Sequence, residues 1–421
     1  MARSIVRWPA RVAAVVSMFA AAGPASAQFR HGPRIGVVRS DSATIAWDTA
    51  CSAADTLLYG TDALNQKATE ATATTAHRIT VQGLAPATAY QFQVNSCGGT
   101  SPVLAFTTAP TAGGQSFAFV SMADTRGKSD AEDLKGLSQG FKKILANAET
   151  QGGVFVMHVG DMFYGYNPDQ SVMRTLYDKF KTATDGVAAK IPFLVNPGGH
   201  EMSPWKKGGA PATDWSTVEL FREEFAQPKV LDEYAGTLFS WDYGDTHFVS
   251  IDTAHFDPKA TTANHGIGEL STAEIEWLEK DLTDHESARF IFVFGHHHAW
   301  RQPDSKLFYL GSYTPLLRDA FWQMLEKHRV TVYVCGHEHR TIDTLGPPGG
   351  STVVQWLNGN SGAPPDDPNE KPVYEYTVWA VTGDTATAKV LDDSGILQKQ
   401  RIFQRRSATS SAPVPGKEAT P

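Results

Sequence analysis

Two hydrophobic patterns divide the chain. Between residues 28 and 110, apolar and polar residues alternate in short runs such as SATIAW, HRITVQGL and AYQFQVNS, and turn residues separate the runs. Alternation with a period of two, repeated at short intervals, is typical of the strands of a β-sandwich. We therefore predict a β-sandwich domain over residues 28–110, and the linker TTAPTAGGQ at 107–115 closes it.

From residue 116 the pattern changes to apolar strands that alternate with amphipathic helices. SFAFVSMAD precedes a helical pattern near 131–149, and GVFVMHVGD precedes another helical segment. Such alternation indicates an α/β domain with layered β-sheets flanked by helices, here over residues 116–400. The tail at 405–421, which ends RSATSSAPVPGKEATP, has no apolar periodicity, so we predict that it is disordered.

The first 27 residues have the form of a cleavable signal peptide. Three arginines precede a short apolar run, and the segment ends in Ala25-Ser26-Ala27, which predicts cleavage after Ala27. The run is too short to span a bilayer, and no later stretch reaches the roughly 20 apolar residues that a membrane helix needs. We therefore expect a secreted or periplasmic protein with no membrane span.

Charge and cysteine content narrow the possible partners. The formal net charge is -8, and removal of the signal peptide would make it more negative. An acidic protein binds nucleic acid poorly, so no nucleic-acid partner is expected. The three cysteines, Cys51, Cys97 and Cys335, are too few for a disulfide-framework fold, although an exported protein can form one bridge.

Metal-type ligands follow five of the apolar strands in the second domain. They are Asp124, Asp161, His200, His296 and the pair His337 and His339. One histidine at a strand end is usually a structural residue with its hydrogen bonds satisfied. Because an α/β fold gathers its ligand-binding groups at strand ends, five such strands predict a shared metal centre.

The ligand types favour two ions. His337 and His339 lie two residues apart, so in an extended segment they point the same way and can serve neighbouring ions. Asp161 has two carboxylate oxygens and can bridge the ions. Oxygen ligands mixed with imidazole suit iron, zinc or manganese, and the absence of cysteine ligands argues against a structural zinc site.

These residues stand in motifs that resemble a known family, the calcineurin-like metallophosphoesterases, and specifically the purple acid phosphatases. The family series DxG, GDxxY, GNH(D/E), VxxH and GHxH is similar to Asp124-Thr125-Arg126, GDMFY at 160–164, GHE at 199–201, VFGH at 293–296 and GHEH at 336–339. The resemblance covers nearly all of residues 116–400. It implies a binuclear-metal phosphohydrolase.

The N-terminal domain resembles a fibronectin type III domain. LAPATAY at 84–90 is similar to the LxPxTxY corner of that fold, and Trp47 is placed like its core tryptophan, so Trp47 and Tyr90 are expected in the core. In a sandwich of this type the loops that carry Cys51 and Cys97 lie at the same end. The resemblance therefore implies a Cys51–Cys97 bridge and a free Cys335.

Carried over by motif, the resemblance assigns ligands to each ion. The first ion, expected to be Fe(III), takes Asp124, Asp161, Tyr164 as phenolate, and His339. The second, a divalent ion (Zn, Mn or Fe), takes Asp161, His296 and His337. His200 is expected to contact the substrate and to protonate the leaving group, and Glu201 to orient His200.

Two positions depart from the family pattern. Gly199 stands where relatives have an asparagine ligand of the second ion, so that ion is expected to bind more weakly. Arg126 replaces the glycine of DxG, either as a tolerated loop change or as a phosphate-binding, and hence substrate-binding, residue. His297 and His298 are interpreted as residues that line the pocket.

The resulting interpretation is an exported enzyme that cleaves phosphate monoesters by metal-activated hydroxide attack, with a small-molecule phosphoester as substrate. A phosphodiesterase with the same metal centre remains an alternative. A weakly active phosphate-binding relative is another, because of Gly199. A purely structural metal protein is least favoured, and the sequence indicates neither the natural substrate nor the oligomeric state.

Overall fold

The structure is a computed structural model. It describes residues 29–405 except 112, 204–215, 226, 256–266, 302, 304, 306, 367–368 and 370. The predicted signal peptide and the predicted disordered tail from residue 406 onward lie outside the described residues. Within the described ranges, none of the helices combines the length and the apolar character that crossing a bilayer requires.

The N-terminal region is a β-sandwich. Its strands are β1 (Phe29–Val38), β2 (Ser42–Ala53), β3 (Thr56–Gly60), β4 (Gln66–Thr69), β5 (Thr74–Gln82), β6 (Ala89–Ser96), β7 (Gly99–Thr100) and β8 (Leu104–Thr107). One sheet has the order β1-β2-β5, and the other has the order β4-β3-β6-β7 with β8 also paired to β6. Alternate residues of β2 and β6 fill the core between the sheets, which confirms the period-two interpretation.

The features expected of this sandwich are present. Trp47 is fully buried and its indole N–H donates to Asp55 Oδ2 at 3.0 Å. The Tyr90 hydroxyl accepts the Ala85 N–H at 2.9 Å, which ties the corner segment to β6. Cys51 and Cys97 form a disulfide with Cα atoms 6.1 Å apart, and Cys335 is free and buried. The bridge inferred from the resemblance is confirmed.

The second region alternates strands and helices. Its elements are β9 (Phe117–Met122), α1 (Asp130–Asp133), α2 (Gln139–Thr150), β10 (Val156–Val159), α3 (Gln170–Ala188), β11 (Phe193–Asn196), α4 (Gly199–Met202), α5 (Ser216–Glu224), β12 (Phe239–Tyr243), β13 (Thr246–Ser250), α6 (Thr272–Asp284), β14 (Phe290–Phe294), α7 (Pro315–Lys327), β15 (Val332–Cys335), β16 (Thr341–Ile342), β17 (Val354–Asn358), β18 (Glu375–Thr382), β19 (Thr385–Asp392) and β20 (Leu397–Gln404). The single helix expected near 131–149 is two helices, because Gly136 between them has φ +148°, outside the helical region.

These elements form four layers. One six-stranded sheet has the order β11-β10-β9-β18-β19-β20 and the other β12-β13-β14-β15-β17-β16. The sheets pack face to face through aromatic side chains that include Phe119, Phe248 and Trp379. Helices α2 and α3 cover the outer face of the first sheet, and α6 and α7 cover that of the second. The predicted α/β architecture with flanking helices is confirmed.

Parallel pairing determines where the candidate ligands meet. In the first sheet β9, β10 and β11 are parallel, and in the second β13, β14, β15 and β17 are parallel. The carboxyl ends of parallel strands share one edge of a sheet, where α/β folds place their ligands. The segments that follow β9, β10, β11, β14 and β15 carry all the strand-end carboxylates and histidines that the sequence singles out.

Candidate metal centre

Two aspartates follow the first two parallel strands in a strained backbone conformation. Asp124 has φ 55° and Asp161 has φ 57°, the left-handed region that costs a residue other than glycine roughly 1–3 kcal/mol. Hydrogen bonds between the two loops maintain this conformation: Asp124 N–H donates to the Gly160 carbonyl at 3.0 Å, and Thr125 N–H donates to the Asp161 carbonyl at 2.9 Å. Both carboxylates are buried at the edge of the sheet.

Glu201 supports the Asp161 loop. Its Oε2 accepts the N–H groups of Asp161 at 3.0 Å and Gly198 at 2.8 Å, and its Oε1 accepts the Met162 N–H at 2.7 Å. Burial raises the pKa of Glu201 to about 7. The expected role of orienting His200 is therefore wrong, since these contacts position the backbone of the proposed bridging aspartate instead.

Histidines from the second sheet reach the same place. His296 Nδ1 lies 2.8 Å from the Val159 carbonyl, which fixes that nitrogen as the donor and leaves Nε2 3.2 Å from Asp161 Oδ1. The His337 N–H donates to Asp124 Oδ2 at 2.9 Å. One ligand atom from each of Asp124, Asp161 and His296 lies within 4.8 Å of the others, so these three residues can surround one cation.

A second group of possible ligands consists only of imidazoles. One ring nitrogen from each of His296, His297 and His337 lies within 4.8 Å of the others, and all three residues are buried. The Nε2 atoms of His297 and His337 have no hydrogen-bond partner among the residues that the structure describes. His298 lies outside this group, with Nε2 3.3 Å from Glu338 Oε1.

His200 lies against the loop that carries Asp161. Its backbone N–H donates to Asp161 Oδ1 at 3.1 Å, and its Nδ1 donates to the Tyr164 carbonyl. Its Nε2 is 3.5 Å from Asp161 Oδ2, and the Tyr166 ring packs against the imidazole with centroids 3.9 Å apart. These contacts fix the ring, with Nε2 directed into the centre.

Tyr164 lies at the border of the centre and is partly buried. Its N–H donates to Asp133 Oδ2 at 2.7 Å, and its ring centroid is 5.4 Å from that of His200. The guanidinium carbon of Arg126 lies 5.7 Å from the same ring centroid. The structure thus places Tyr164 beside His200 and Arg126, and its carbonyl orients the His200 ring.

His339 and Arg126 contact each other. The His339 N–H donates to Asp366 Oδ2 at 2.9 Å and its Nδ1 donates to the Pro364 carbonyl, so Nε2 is the nitrogen that faces the centre. Arg126 Nη2 is 3.2 Å from that Nε2, and Arg126 Nε is 4.0 Å from Asp161 Oδ2. An ion bound by His339 therefore requires the guanidinium to turn away from Nε2.

Burial keeps several imidazoles in the form that binds metals. Burial, together with neighbouring histidines, lowers the pKa of His337 and of His297 well below the usual value. Burial would also lower the pKa of His296, but Asp161 and Asp124 overcome it and raise that pKa to about 9. Neutral imidazoles and buried carboxylates are the donor set that zinc, iron and manganese prefer, and His296 would join that set by releasing its proton when an ion binds, so the residues fit the ions that the motifs imply.

Comparison with known families agrees with this geometry. The sequence matches the family described as calcineurin-like phosphoesterase over residues 124–341, just over half of the 421 residues. The chain belongs to the calcineurin-like phosphoesterase family. A separate match to the purple acid phosphatase N-terminal domain covers residues 32–108, the sandwich.

The relatives of this calcineurin-like phosphoesterase include acid phosphatases. It is 27% identical to mouse acid phosphatase type 7 over 226 residues, and the aligned region covers 52% of this chain and 44% of that protein. It is 24% identical to an acid phosphatase of Aspergillus ficuum over 399 residues, and the aligned region covers 68% of this chain and 63% of that protein. The chain thus spans less than two thirds of the length of these relatives.

A solved structure shares the fold. The purple acid phosphatase PPD1 from yellow lupin (Lupinus luteus) seeds superposes with a TM-score of 0.66 at 16% identity, over 89% of this chain and 74% of that one. At this identity the similarity shows the fold alone. It places the same two-part architecture, a sandwich followed by a layered α/β domain, in both proteins.

The two glycines of VNPGGHEM, residues 195–202, differ in how much space surrounds them. A β-carbon on Gly198 would lie 2.2 Å from Asp161 Oδ1, so only glycine allows the proposed bridging carboxylate to approach the turn. Gly199 differs, because a β-carbon there would make ordinary contacts of 3.6–3.9 Å. Position 199 has room for a side chain that this chain does not supply.

Sequence reasoning does not identify every residue that borders the centre. Thr253 holds His297, accepting its N–H at 3.0 Å, and Asp133 accepts the N–H groups of Tyr164 and Gly127. The sequence pattern indicates only that His297 lines the pocket. The run of three histidines directly after β14 is the available signal, but the direction of each ring depends on how the chain turns after the strand.

Proposed function

We propose that this protein is a metal-dependent phosphoric ester hydrolase that cleaves small phosphate monoesters at a two-ion centre. The observation that supports it is the convergence of buried carboxylates and imidazoles from five strand ends on one edge of the domain. The acid phosphatase relatives and the match of the sandwich to the purple acid phosphatase N-terminal domain point the same way. The arrangement provides the donors that two adjacent cations need.

Each ion has its own proposed ligand set. Asp124, Asp161, Tyr164 and His339 would hold the first ion, proposed to be Fe(III), and Asp161, His296 and His337 would hold the second, a divalent ion. When bound, the ions would supply positive charge for the phosphate and lower the pKa of an attacking water. The loops fix Asp161 through Glu201 and His296 through the Val159 carbonyl, so this chain positions the ligands before an ion arrives.

His200 is the proposed general acid. Its Nε2 faces the centre while its Nδ1 is held by the Tyr164 carbonyl, which orients the ring for proton transfer. Burial lowers the pKa of His200 to about 3, so the ring is neutral at pH 7 when no substrate is bound. A phosphate dianion beside the ring would favour the protonated form, and His200 would then pass that proton to the leaving oxygen.

Arg126 is the proposed phosphate contact. Its guanidinium lies within the centre, near Asp161 and over the Tyr164 ring, rather than on a solvent-exposed loop. Binding of the first ion would displace it from His339, and a guanidinium released in this place can bind phosphate oxygens with two parallel hydrogen bonds. This favours the substrate-binding interpretation over a tolerated loop change.

We also propose that the protein is exported. The support is the pattern of residues 1–27, with arginines, a short apolar run and the Ala25-Ser26-Ala27 ending. Export to an oxidising compartment agrees with the Cys51–Cys97 disulfide, because such bridges persist outside the cytosol.

The function is tested by hydrolysis of a matched pair of substrates. The purified protein is treated with a chelator, reconstituted with Fe(III) plus Zn²⁺ or Mn²⁺, and assayed on an aryl phosphate monoester and the corresponding diester. We expect metal-dependent turnover that is faster on the monoester. Faster hydrolysis of the diester would establish the phosphodiesterase alternative, and two bound ions without turnover on either ester would refute the enzyme.

A further inference from the structure

The empty space at position 199 faces a histidine. A β-carbon built on Gly199 would lie 3.8 Å from His297 Nε2 and 3.6 Å from the Tyr166 hydroxyl. A ligand side chain at 199 and the His297 ring would therefore extend into neighbouring space. Where the family pattern has an asparagine oxygen, this chain presents an imidazole nitrogen from another strand end.

The other nitrogen of His297 is held by a hydroxyl. The His297 N–H donates to Thr253 Oγ1 at 3.0 Å, and His297 Nδ1 lies 3.2 Å from the same oxygen. If Nδ1 carries the proton and donates it to Thr253, Nε2 keeps its lone pair. This pairing of one nitrogen with an oxygen acceptor and the other with an ion is the usual arrangement of metal-binding histidines.

His297 Nε2 is directed toward two proposed ligands. The centroids of His297 and His337 are 4.6 Å apart, and those of His296 and His297 are 4.9 Å apart. Ring nitrogens of the three residues lie within 4.8 Å of one another, close to the roughly 3–4 Å that separates nitrogens on one zinc ion. Modest side-chain adjustment brings all three onto one ion.

A purely structural role would explain this geometry poorly. His297 and His337 bury Nε2 atoms for which the described part of the chain provides no hydrogen-bond partner. The ring nitrogens of His298 also lack a hydrogen bond, but only His297 and His337 bring a nitrogen within 4.8 Å of one on His296. Each such buried polar atom destabilises the folded protein, because it loses its hydrogen bonds to water and gains none in return. A histidine that only fills a pocket would gain stability on replacement by an apolar ring, whereas a ligand recovers the cost when the ion binds.

We propose that His297 is a ligand of the second ion and replaces the ligand that position 199 lacks. The proposal rests on the two-ion centre described under the proposed function. The second ion would then have three imidazole nitrogens, from His296, His297 and His337, and one oxygen from Asp161. Such a set suits zinc, and it replaces the expectation that Gly199 weakens the second ion.

The test is calorimetric titration of Zn²⁺ into chelator-treated protein. His297→Ala is expected to lower the affinity for one of two ions by at least about 10-fold and to leave the other unchanged. His298→Ala is the matched control, because His298 is adjacent, buried and directed toward Glu338, so both affinities should be retained. Thermal unfolding without zinc identifies any variant that fails to fold, and His297→Gln then replaces His297→Ala.

Restoring the family ligand sharpens the test. Gly199→Asn in the otherwise unchanged protein should alter the zinc affinities less than about 3-fold, since His297 already fills the ligand position. In the His297→Ala background the same change should recover most of the lost affinity, because position 199 has room for a side chain. If Gly199→Asn does not restore zinc affinity in the His297→Ala protein, His297 does not replace the ligand that position 199 lacks, and that part of the proposal is wrong.

Parallel assays separate this proposal from the proposed function. If the protein hydrolyses phosphate esters but His297→Ala binds two zinc ions with unchanged affinities, His297 is not a ligand and the function stands. If the protein binds two ions without hydrolysis, the function fails, and the loss of affinity in His297→Ala still decides the role of His297. A protein that binds no zinc overturns both.

Discussion

Two clusters of histidine and aspartate in this protein have similar composition and different chemistry. One is the proposed metal centre, with Asp124, Asp161, His296, His297 and His337. The other, which we term the outer cluster, consists of Asp242, His247, Asp281 and His285 on β12, β13 and the end of α6. Three ligand-type atoms lie within 4.8 Å of one another in both clusters, so spacing alone does not distinguish them.

Hydrogen bonding distinguishes them. In the outer cluster, both nitrogens of His247 are occupied, by Asp242 Oδ1 at 2.7 Å and Asp281 Oδ2 at 2.9 Å. In the metal centre, the Nε2 atoms of His297 and His337 lack a partner within the described residues. Imidazole nitrogens that lie within 4.8 Å of one another and make no hydrogen bond can serve as ligands, whereas a histidine between two carboxylates is itself the cation.

The pKa shifts agree with this comparison. Burial would lower the pKa of His247, but hydrogen bonds from its ring to Asp242 and Asp281 raise it, so the charged form is stabilised. Burial lowers the pKa of His297 and His337, which stay neutral and can bind a metal. The pKa of His296 is also raised, to about 9, so an ion bound there would have to displace its proton. Both nitrogens of His247 already pair with carboxylates, and the outer cluster is therefore an ion-pair network.

The largest effect is expected from Asp161→Asn. Only Asp161 is proposed to hold both ions, so we expect each ion to be bound more than about 100-fold more weakly, with activity lost at ordinary metal concentrations. Metal content after gel filtration and turnover of a phosphate monoester measure the two effects. The amide oxygen of the introduced asparagine can still accept the His200 N–H, which limits structural damage to the loop.

Asp242→Asn is the matched control in the outer cluster. It makes the same chemical change beside a histidine, and it should leave metal content and turnover as they are. Loss of an ion in this variant, or two firmly bound ions in Asp161→Asn, would contradict the distinction between the clusters.

A smaller effect is expected from His200→Ala. The ligands remain, so both ions should stay bound, while loss of the general acid should lower kcat by about 10²–10⁴. Metal analysis and kcat are measured on the same preparation, with a substrate whose leaving group needs protonation. His285→Ala, a partly exposed histidine of the outer cluster, is the control and should keep kcat. A metal-depleted His200→Ala protein would refute the assignment.

Tyr164→Phe should change colour more than rate. A tyrosinate bound to ferric iron absorbs visible light by charge transfer, so the oxidised, iron-loaded protein should be violet and the variant bleached. Tyr166→Phe is the control, because the ring centroids of Tyr166 and Tyr164 are 6.2 Å apart and Tyr166 is not a proposed ligand. If the iron-loaded protein is colourless, or if the variant keeps the absorption, Tyr164 is not a ligand of the first ion.

The sequence predicts much of this centre because the ends of strands can be recognised from the apolar runs that precede them. Asp124, Asp161, His296 and His337 each follow an apolar run, and parallel strands carry such residues to one edge whatever the loops do. The sandwich is equally readable, since alternation sets the inward positions of Trp47 and the other core residues.

Side-chain direction in the loops is not predictable in this way. Adjacent residues of an extended strand point to opposite faces, which suggests that His296 and His297 diverge. The chain leaves the extended conformation after β14, and the Thr253 hydroxyl then turns His297 toward His337. The long side chain of Arg126 likewise reaches His339, 213 residues away in sequence, and Glu201 reaches back to the Asp161 loop.

The smallest effect is expected from His247→Gln, and its pH dependence tests the outer cluster directly. The folded-state pKa of His247 is raised, so its ion pairs contribute stability fully below the unfolded value near 6.5, and the contribution disappears as pH rises through the folded value. The variant should lose about 1–2 kcal/mol of unfolding free energy at about pH 6, and the difference should shrink at about pH 9.

Urea denaturation at both pH values measures this difference in unfolding free energy, and the metal content of the variant is expected to match that of the unaltered protein. A difference independent of pH would show that His247 is neutral when folded, and loss of an ion would show that the outer cluster binds metal after all.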